Sequence, residues 1–177
     1  MDPSGGATVK APKKKTLRIP PAPKSERPPT YSHGTRHPKP RSVSVALLDD
    51  LVQRAKAVRD NAHAPYSKYR VGAAIATKKG SVFVGCNVEN ASFGATICAE
   101  RGAIMQMVAA GEKDPIACAV VTGDEIGASP CGICRQVLAE FAKDMPIVLV
   151  GLGSREGEIG RVVQLTDLLP LAFHLEH

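Results

Sequence analysis

Apolar residues recur at helical spacing through Leu47, Leu48, Leu51, Val52, Ala55 and Val58. Asp49 and Asp50 fall in the early turns of this helix, where negative charge suits the helix dipole. The pattern predicts a helix from about residue 44 that ends at Asn61-Ala62-His63-Ala64-Pro65. It then changes period: 69–77 reads as a strand, Lys78-Lys79-Gly80-Ser81 as a hairpin turn, and 82–86 as the partner strand. A loop over 87–96 leads into a helix reaching about 110. Residues 115–122 read as a buried strand, 131–143 as a helix, 146–151 as a strand and 161–165 as a short last strand, and Leu168-Leu169-Pro170 closes the domain. No internal repeat interrupts the order α-β-β-α-β-α-β-β. That order predicts an α/β fold: a three-layer α/β/α sandwich with a mixed five-stranded sheet and helices on both faces.

Composition and charge divide the chain in two. It has 177 residues, 44% of them hydrophobic and none of them tryptophan, which suffices for one packed domain with some length left over. Nine of the fourteen prolines precede residue 42. The first 42 residues also hold ten Lys/Arg against only Asp2 and Glu26, while the remainder holds thirteen against fifteen acids. The net charge of +6 therefore belongs to the tail, and the folded body is slightly acidic. A stretch so polar and proline-rich cannot bury enough surface to offset its ordering entropy. Residues 1–42 are expected to be a disordered basic tail, and 43–177 the folded domain. No apolar run approaches the roughly 18 residues needed to cross a bilayer, and no compact apolar leader is visible, so a cytoplasmic location is expected.

Candidate chemistry lies in Cys98-Ala99-Glu100 and, some thirty residues on, Pro130-Cys131-Gly132-Ile133-Cys134. A lone C-x-x-C is equally a redox motif or half of a zinc ribbon. Three thiols with a neighbouring carboxylate are more specific: Cys98, Cys131 and Cys134 can hold zinc at three corners of a tetrahedron and leave the fourth open. Glu100, two residues from the first thiol, is placed to shuttle protons, a role typically worth 10²–10⁴-fold. Both cysteine-bearing loops leave a strand and enter a helix, so the metal is expected where two helix N-termini converge on one edge of the sheet. Three thiolates and Zn²⁺ leave a net charge of −1, so something must draw electron density from sulfur. The helix N-termini are one source and Arg101 a second, unless Arg101 is a surface ion pair. Cys86 and Cys118 lie in apolar surroundings and read as buried small hydrophobes.

The segments 87–101 (Asn87-Val88-Glu89-Asn90 through Cys98-Ala99-Glu100-Arg101) and 130–137 resemble the small, all-cysteine zinc cytidine deaminases, as does Ala64-Pro65-Tyr66-Ser67-Lys68-Tyr69-Arg70-Val71-Gly72-Ala73-Ala74. The resemblance spans about residues 45–173. It implies one Zn²⁺ per subunit and hydrolysis of cytidine or deoxycytidine to uridine or deoxyuridine with loss of ammonia, as in pyrimidine salvage, by attack at C4 of the base. It also implies that Asn87 and Glu89, a buried amide and carboxylate on one loop, bind the ribose 3′-hydroxyl, that Tyr69 packs on the base, and that the Ala99 backbone meets the base's polar edge. The family's homotetramer implies that Phe173 enters a neighbouring subunit's pocket. Four positions depart from the family's usual residues: Tyr69 for Phe, Phe93 for Tyr, Arg70 for Pro and Gly102 for Thr. None touches the metal set.

Three other readings share parts of this signature. A related small deaminase acts on the nucleoside antibiotic blasticidin S, although the Asn-x-Glu loop favours ordinary ribosides. Polynucleotide cytosine deamination is encouraged by the basic tail, but such an enzyme must admit a strand on both sides of its target base. A zinc-stabilised interaction module without catalysis would keep the metal and have no use for Glu100.

Overall fold

Ser44 starts the first helix, its hydroxyl accepting a hydrogen bond from the Leu47 amide at 3.2 Å, a cap worth about 1 kcal/mol. The computed structural model describes residues 43–153 and 160–175, which all belong to one unit; the expected basic tail 1–42 lies outside the described residues. Helix α1 runs Val45–Arg59. Its first turn holds no acid: Asp49 and Asp50 sit one turn too late to meet the unpaired N–H groups, and Asp50 instead pairs with Arg54 at 2.8 Å.

Strand β1 (Gly72–Thr77) and β2 (Val82–Cys86) form the expected hairpin, with Gly80 at φ 90° turning the corner. β1 begins three residues later than its sequence pattern suggests. Ahead of it, the Asn87 side chain bonds the Tyr69 carbonyl and the Val71 amide, both at 2.8 Å, and so replaces a neighbouring strand. A 3₁₀ turn (Phe93–Ala95) precedes α2 (Ala99–Ala109). Strand β3 (Pro115–Thr122), α3 (Gly132–Phe141) and β4 (Pro146–Gly151) make a parallel crossover, and β5 (Arg161–Gln164) returns antiparallel. Beyond it the pattern missed a short helix, α4 (Leu165–Leu168), started by a reciprocal Gln164–Asp167 capping box.

The sheet order is β2-β1-β3-β4-β5. Alternation along the strands sorts the core into two layers. Ala74, Ala76, Ala117, Ala119, Val121, Val148 and Val150 meet Leu48, Leu51, Val52 and Ala55 of α1. Ile75, Cys118, Val120, Ile147 and Leu149 face the other way, toward α2 and α3 with Ile104, Met107 and Leu138. The expected three layers and mixed five-stranded sheet are observed. Cys118 is fully buried as expected, but Cys86 is only half-buried.

Candidate metal centre and active site

Cys98 and Cys131 each occupy the N-cap position of a helix, α2 and α3, and Cys134 lies in the first turn of α3. Their side chains lie at two helix N-termini, where the helix dipole favours negative charge, although neither N-cap cysteine takes a hydrogen bond from the helix amides. The three Sγ atoms lie within 4.8 Å of one another, Cys98 and Cys131 at 3.8 Å. Zinc–sulfur bonds of about 2.3 Å in a tetrahedron require sulfurs about 3.8 Å apart, so the trio is positioned to bind zinc with small adjustment. Two helix N-termini converge at the centre, as expected, and the edge of the sheet they meet is the carboxyl end of the central strand β3, whose Val120 and Thr122 line the pocket.

Charge is distributed unevenly over the sulfurs. Hydrogen bonding from the Cys134 thiol, then from Arg101, holds Cys98 down at about 5, and Cys134 is pushed up because it keeps the shared proton. The Arg101 guanidinium donates to the Thr96 carbonyl at 2.7 Å and stands 3.8 Å from Cys98 Sγ, the sulfur-directed alternative rather than a surface ion pair. Glu100, next to Cys98 and 4% exposed, has its carboxyl pushed up by burial, with the Cys98 charge adding to the effect. A carboxyl raised in this way holds a proton more readily and is suited to pass it on.

A pocket of about 210 Å³ opens over this centre. It is lined by Tyr69, Asn87, Glu89, Ala99, Glu100, Cys98 and Cys131, so seven of the expected site residues converge here from four separate segments. Asn87 spends one donor and one acceptor on the strand approach and retains one of each. Glu89 is half-exposed rather than buried: its carboxylate accepts from the Tyr66 and Ser67 amides and from the Ser67 hydroxyl. The Ser67 hydroxyl is the chief reason this carboxyl titrates below the usual range. The hydroxyl of Tyr69 donates to Asp124 at 2.5 Å, and its pKa is raised by burial and by that bond. Phe93 packs edge-on against Tyr66, with ring centroids 6.1 Å apart. Phe173 stays outside its own chain's pocket, 66% exposed, with its backbone clasped by the Gln136 amide.

Several contributors were not legible as such in the sequence. Ser67 orients Glu89, and Arg135 holds the approach to Cys131 through the Pro130 carbonyl and Ser129 hydroxyl. Thr122 caps the same loop, accepting from the Ala128 amide. Each acts through a partner distant in sequence or through a loop with no period, and only the motif neighbourhood Pro65-Tyr66-Ser67 and Cys134-Arg135 hinted at them.

Residues 47–150 match the family model described as the cytidine and deoxycytidylate deaminase zinc-binding region. A cytidine deaminase of Halalkalibacterium halodurans is 43% identical over 126 residues, 71% of this chain and 93% of the relative. One of Sporosarcina psychrophila is 42% identical over 130 residues, 73% of this chain and 93% of the relative. The crystal structure of a cytidine deaminase from Burkholderia pseudomallei superposes with a TM-score of 0.65 at 46% identity, covering 71% of this chain and 98% of that one.

Proposed function

The chain belongs to the cytidine and deoxycytidylate deaminase zinc-binding family, and from that premise we propose that it hydrolyses cytidine and deoxycytidine to uridine and deoxyuridine, releasing ammonia. The observation that carries this reading is the conjunction of three sulfurs at zinc-binding separation with a buried glutamate beside them, at the bottom of one small pocket. When bound, zinc supplies Lewis-acid chemistry at an open fourth position, lowering the pKa of a water far below its bulk value.

The protein's own residues do the rest. Glu100 accepts one proton from the attacking water and delivers it to the base's ring nitrogen, then takes the remaining proton from the hydroxyl added at C4 and delivers it to the departing amine, which leaves as ammonia. Arg101 and the two helix ends stabilise negative charge on the sulfurs. Asn87, through its remaining donor and acceptor, and Glu89 receive the sugar hydroxyls, the ring of Tyr69 packs beside the base, and the Ala99 backbone meets its polar edge. Glu89's partners all come from the adjacent residues Tyr66 and Ser67, which fix the carboxylate at the pocket and support a role in gripping a sugar hydroxyl.

The exposed surfaces support a homotetrameric assembly. Phe93, Ile133, Leu171 and Phe173 are more than 60% exposed, a burden of apolar surface that a homotetramer covers, with Phe173 of one subunit reaching a neighbour's pocket. Three reduced thiols used as ligands fit a cytoplasmic setting. Among the described residues no helix is long and apolar enough to cross a membrane.

The test is direct. Purified protein is incubated separately with cytidine, deoxycytidine and blasticidin S, loss of cytosine absorbance is followed, and metal is assayed in the same sample. Turnover of the two nucleosides with about one zinc per chain is expected. Zinc-loaded protein inert toward both nucleosides overturns the reading, and faster loss of blasticidin S replaces it with the antibiotic reading. Sedimentation of the same sample reads the assembly.

A further inference from the structure

The pocket is bounded by two segments that the fold alone does not join. One is the approach to β1, residues 66–71, and the other is the loop between β3 and α3, residues 123–131, which ends on the metal-ligand position Cys131. A side-chain bond spans them: the Tyr69 hydroxyl donates to Asp124 at 2.5 Å across 55 residues of sequence. Tyr69 is itself tied back to the sugar side of the pocket. Its amide donates to the Ser67 hydroxyl, which donates to Glu89, and its carbonyl accepts from the Asn87 amide. Hydrogen bonds therefore run without a break from Glu89 through Ser67 and Tyr69 to Asp124.

The far side of the loop is seated by contacts that leave it little room. A Cβ on Gly151 would lie 2.1 Å from the Asp124 carbonyl, and one on Gly127 2.4 Å from the Val150 amide, so this loop lies backbone against backbone on the end of β4. Arg135 holds its other end, at Ser129 and Pro130. What neither contact fixes is how closely the loop approaches the 66–71 segment across the pocket.

We propose that the Tyr69–Asp124 bond sets that approach, with Asp124 a positioning residue that straps the metal-ligand loop to the sugar-binding rim. The inference rests on the deaminase reading of this pocket. An aromatic ring alone can pack on a base, but only the hydroxyl can hold the opposite wall at fixed distance. The strap acts chiefly on substrate binding, because it spans the rim and touches neither Glu100 nor a sulfur.

The experiment compares the full-length zinc-loaded protein with Tyr69→Phe, Asp124→Ala, Asp124→Asn and the Tyr69→Phe/Asp124→Ala double variant. Steady-state rates on cytidine are read beside amide hydrogen exchange in the absence of substrate. Each of the first two variants is expected to raise KM about three- to tenfold with kcat within about twofold, the scale of one charge-assisted hydrogen bond partly open to water. The double variant is expected to be no worse than either single, since both remove one bond. Asp124→Asn, which keeps an acceptor, restores most of the affinity. Exchange at the Ala128 amide quickens in Tyr69→Phe and Asp124→Ala alike. Unchanged KM with unchanged loop exchange, or additive losses in the double variant, overturns the strap. Should the parent protein fail to turn over cytidine, the deaminase reading falls while the exchange comparison still decides whether the strap exists.

Discussion

Gly85 is a residue with no chemistry whose replacement should disable the site. It lies in β2 directly beneath α2, where a Cβ would stand 2.3 Å from the Ala99 carbonyl, 2.5 Å from the Ala103 amide and 2.9 Å from the Gly102 carbonyl carbon. All three are helix backbone, so no side chain can swing aside. To bring the nearest contact to an ordinary 3.4 Å, α2 must retreat by about 1 Å. Metal centres hold their ligands to about ±0.2 Å, and a 1 Å misplacement of reacting groups costs about 100-fold. Because Cys98 caps this helix and Glu100 stands in its first turn, the retreat moves a ligand and the proton carrier together. Gly85→Ala is therefore expected to lose at least about 100-fold in kcat/KM and most of its zinc on dialysis. Overpacking should cost it a further ~1–3 kcal/mol of stability. The control is Gly102→Ala on the facing helix, whose added Cβ meets nothing closer than 3.6 Å. That variant should keep zinc and activity and gain about 0.5–1 kcal/mol, because alanine loses less backbone entropy than glycine in a helix. Rates on cytidine, zinc content and thermal midpoints of the two proteins, measured in parallel, check the argument. Full activity with bound zinc in Gly85→Ala, or equal damage from both, would refute it.

Glu100→Gln should bind zinc and fold as the parent does yet lose at least about 100-fold in kcat, as loss of a positioned acid/base implies; retained turnover shows that protons travel another way. Ser67→Ala should raise the Glu89 pKa toward the ordinary carboxylate range, readable by NMR titration of the carboxyl carbon. The sign follows from the direction of the shift: a depressed carboxyl contributes stability at pH above its unfolded pKa, and loses it as pH falls through the lower folded value. The parent should thus retain rim structure to lower pH than Ser67→Ala, and identical acid profiles would contradict the pairing. Stripping metal with a chelator should expose Cys98, Cys131 and Cys134 to a thiol reagent and lower the melting temperature, with zinc reversing both; fully buried Cys118 should stay inert unless the protein is unfolded.

The periods of 3.6 and 2 were sufficient to locate eight elements' worth of local preference, because they report which face each segment must bury, whatever it packs against. Strands 82–86, 115–122 and 146–151 lie where the apolar runs put them. The sulfurs and Glu100 were also legible, since metal chemistry restricts residue type so severely that spacing alone carries meaning. The errors cluster where side chains replace backbone partners. β1 starts late because Asn87 takes the place of a strand, and α4 arises from a cap that its four residues barely advertise. The tertiary structure alone decided that Cys98 and Cys131, 33 residues apart, come within 3.8 Å over the central strand, that Glu89 faces water, and that Tyr69 ends on Asp124. Contacts of that kind depend on how two faces of one sheet are filled, a property of packing shared among many residues and written at no single position.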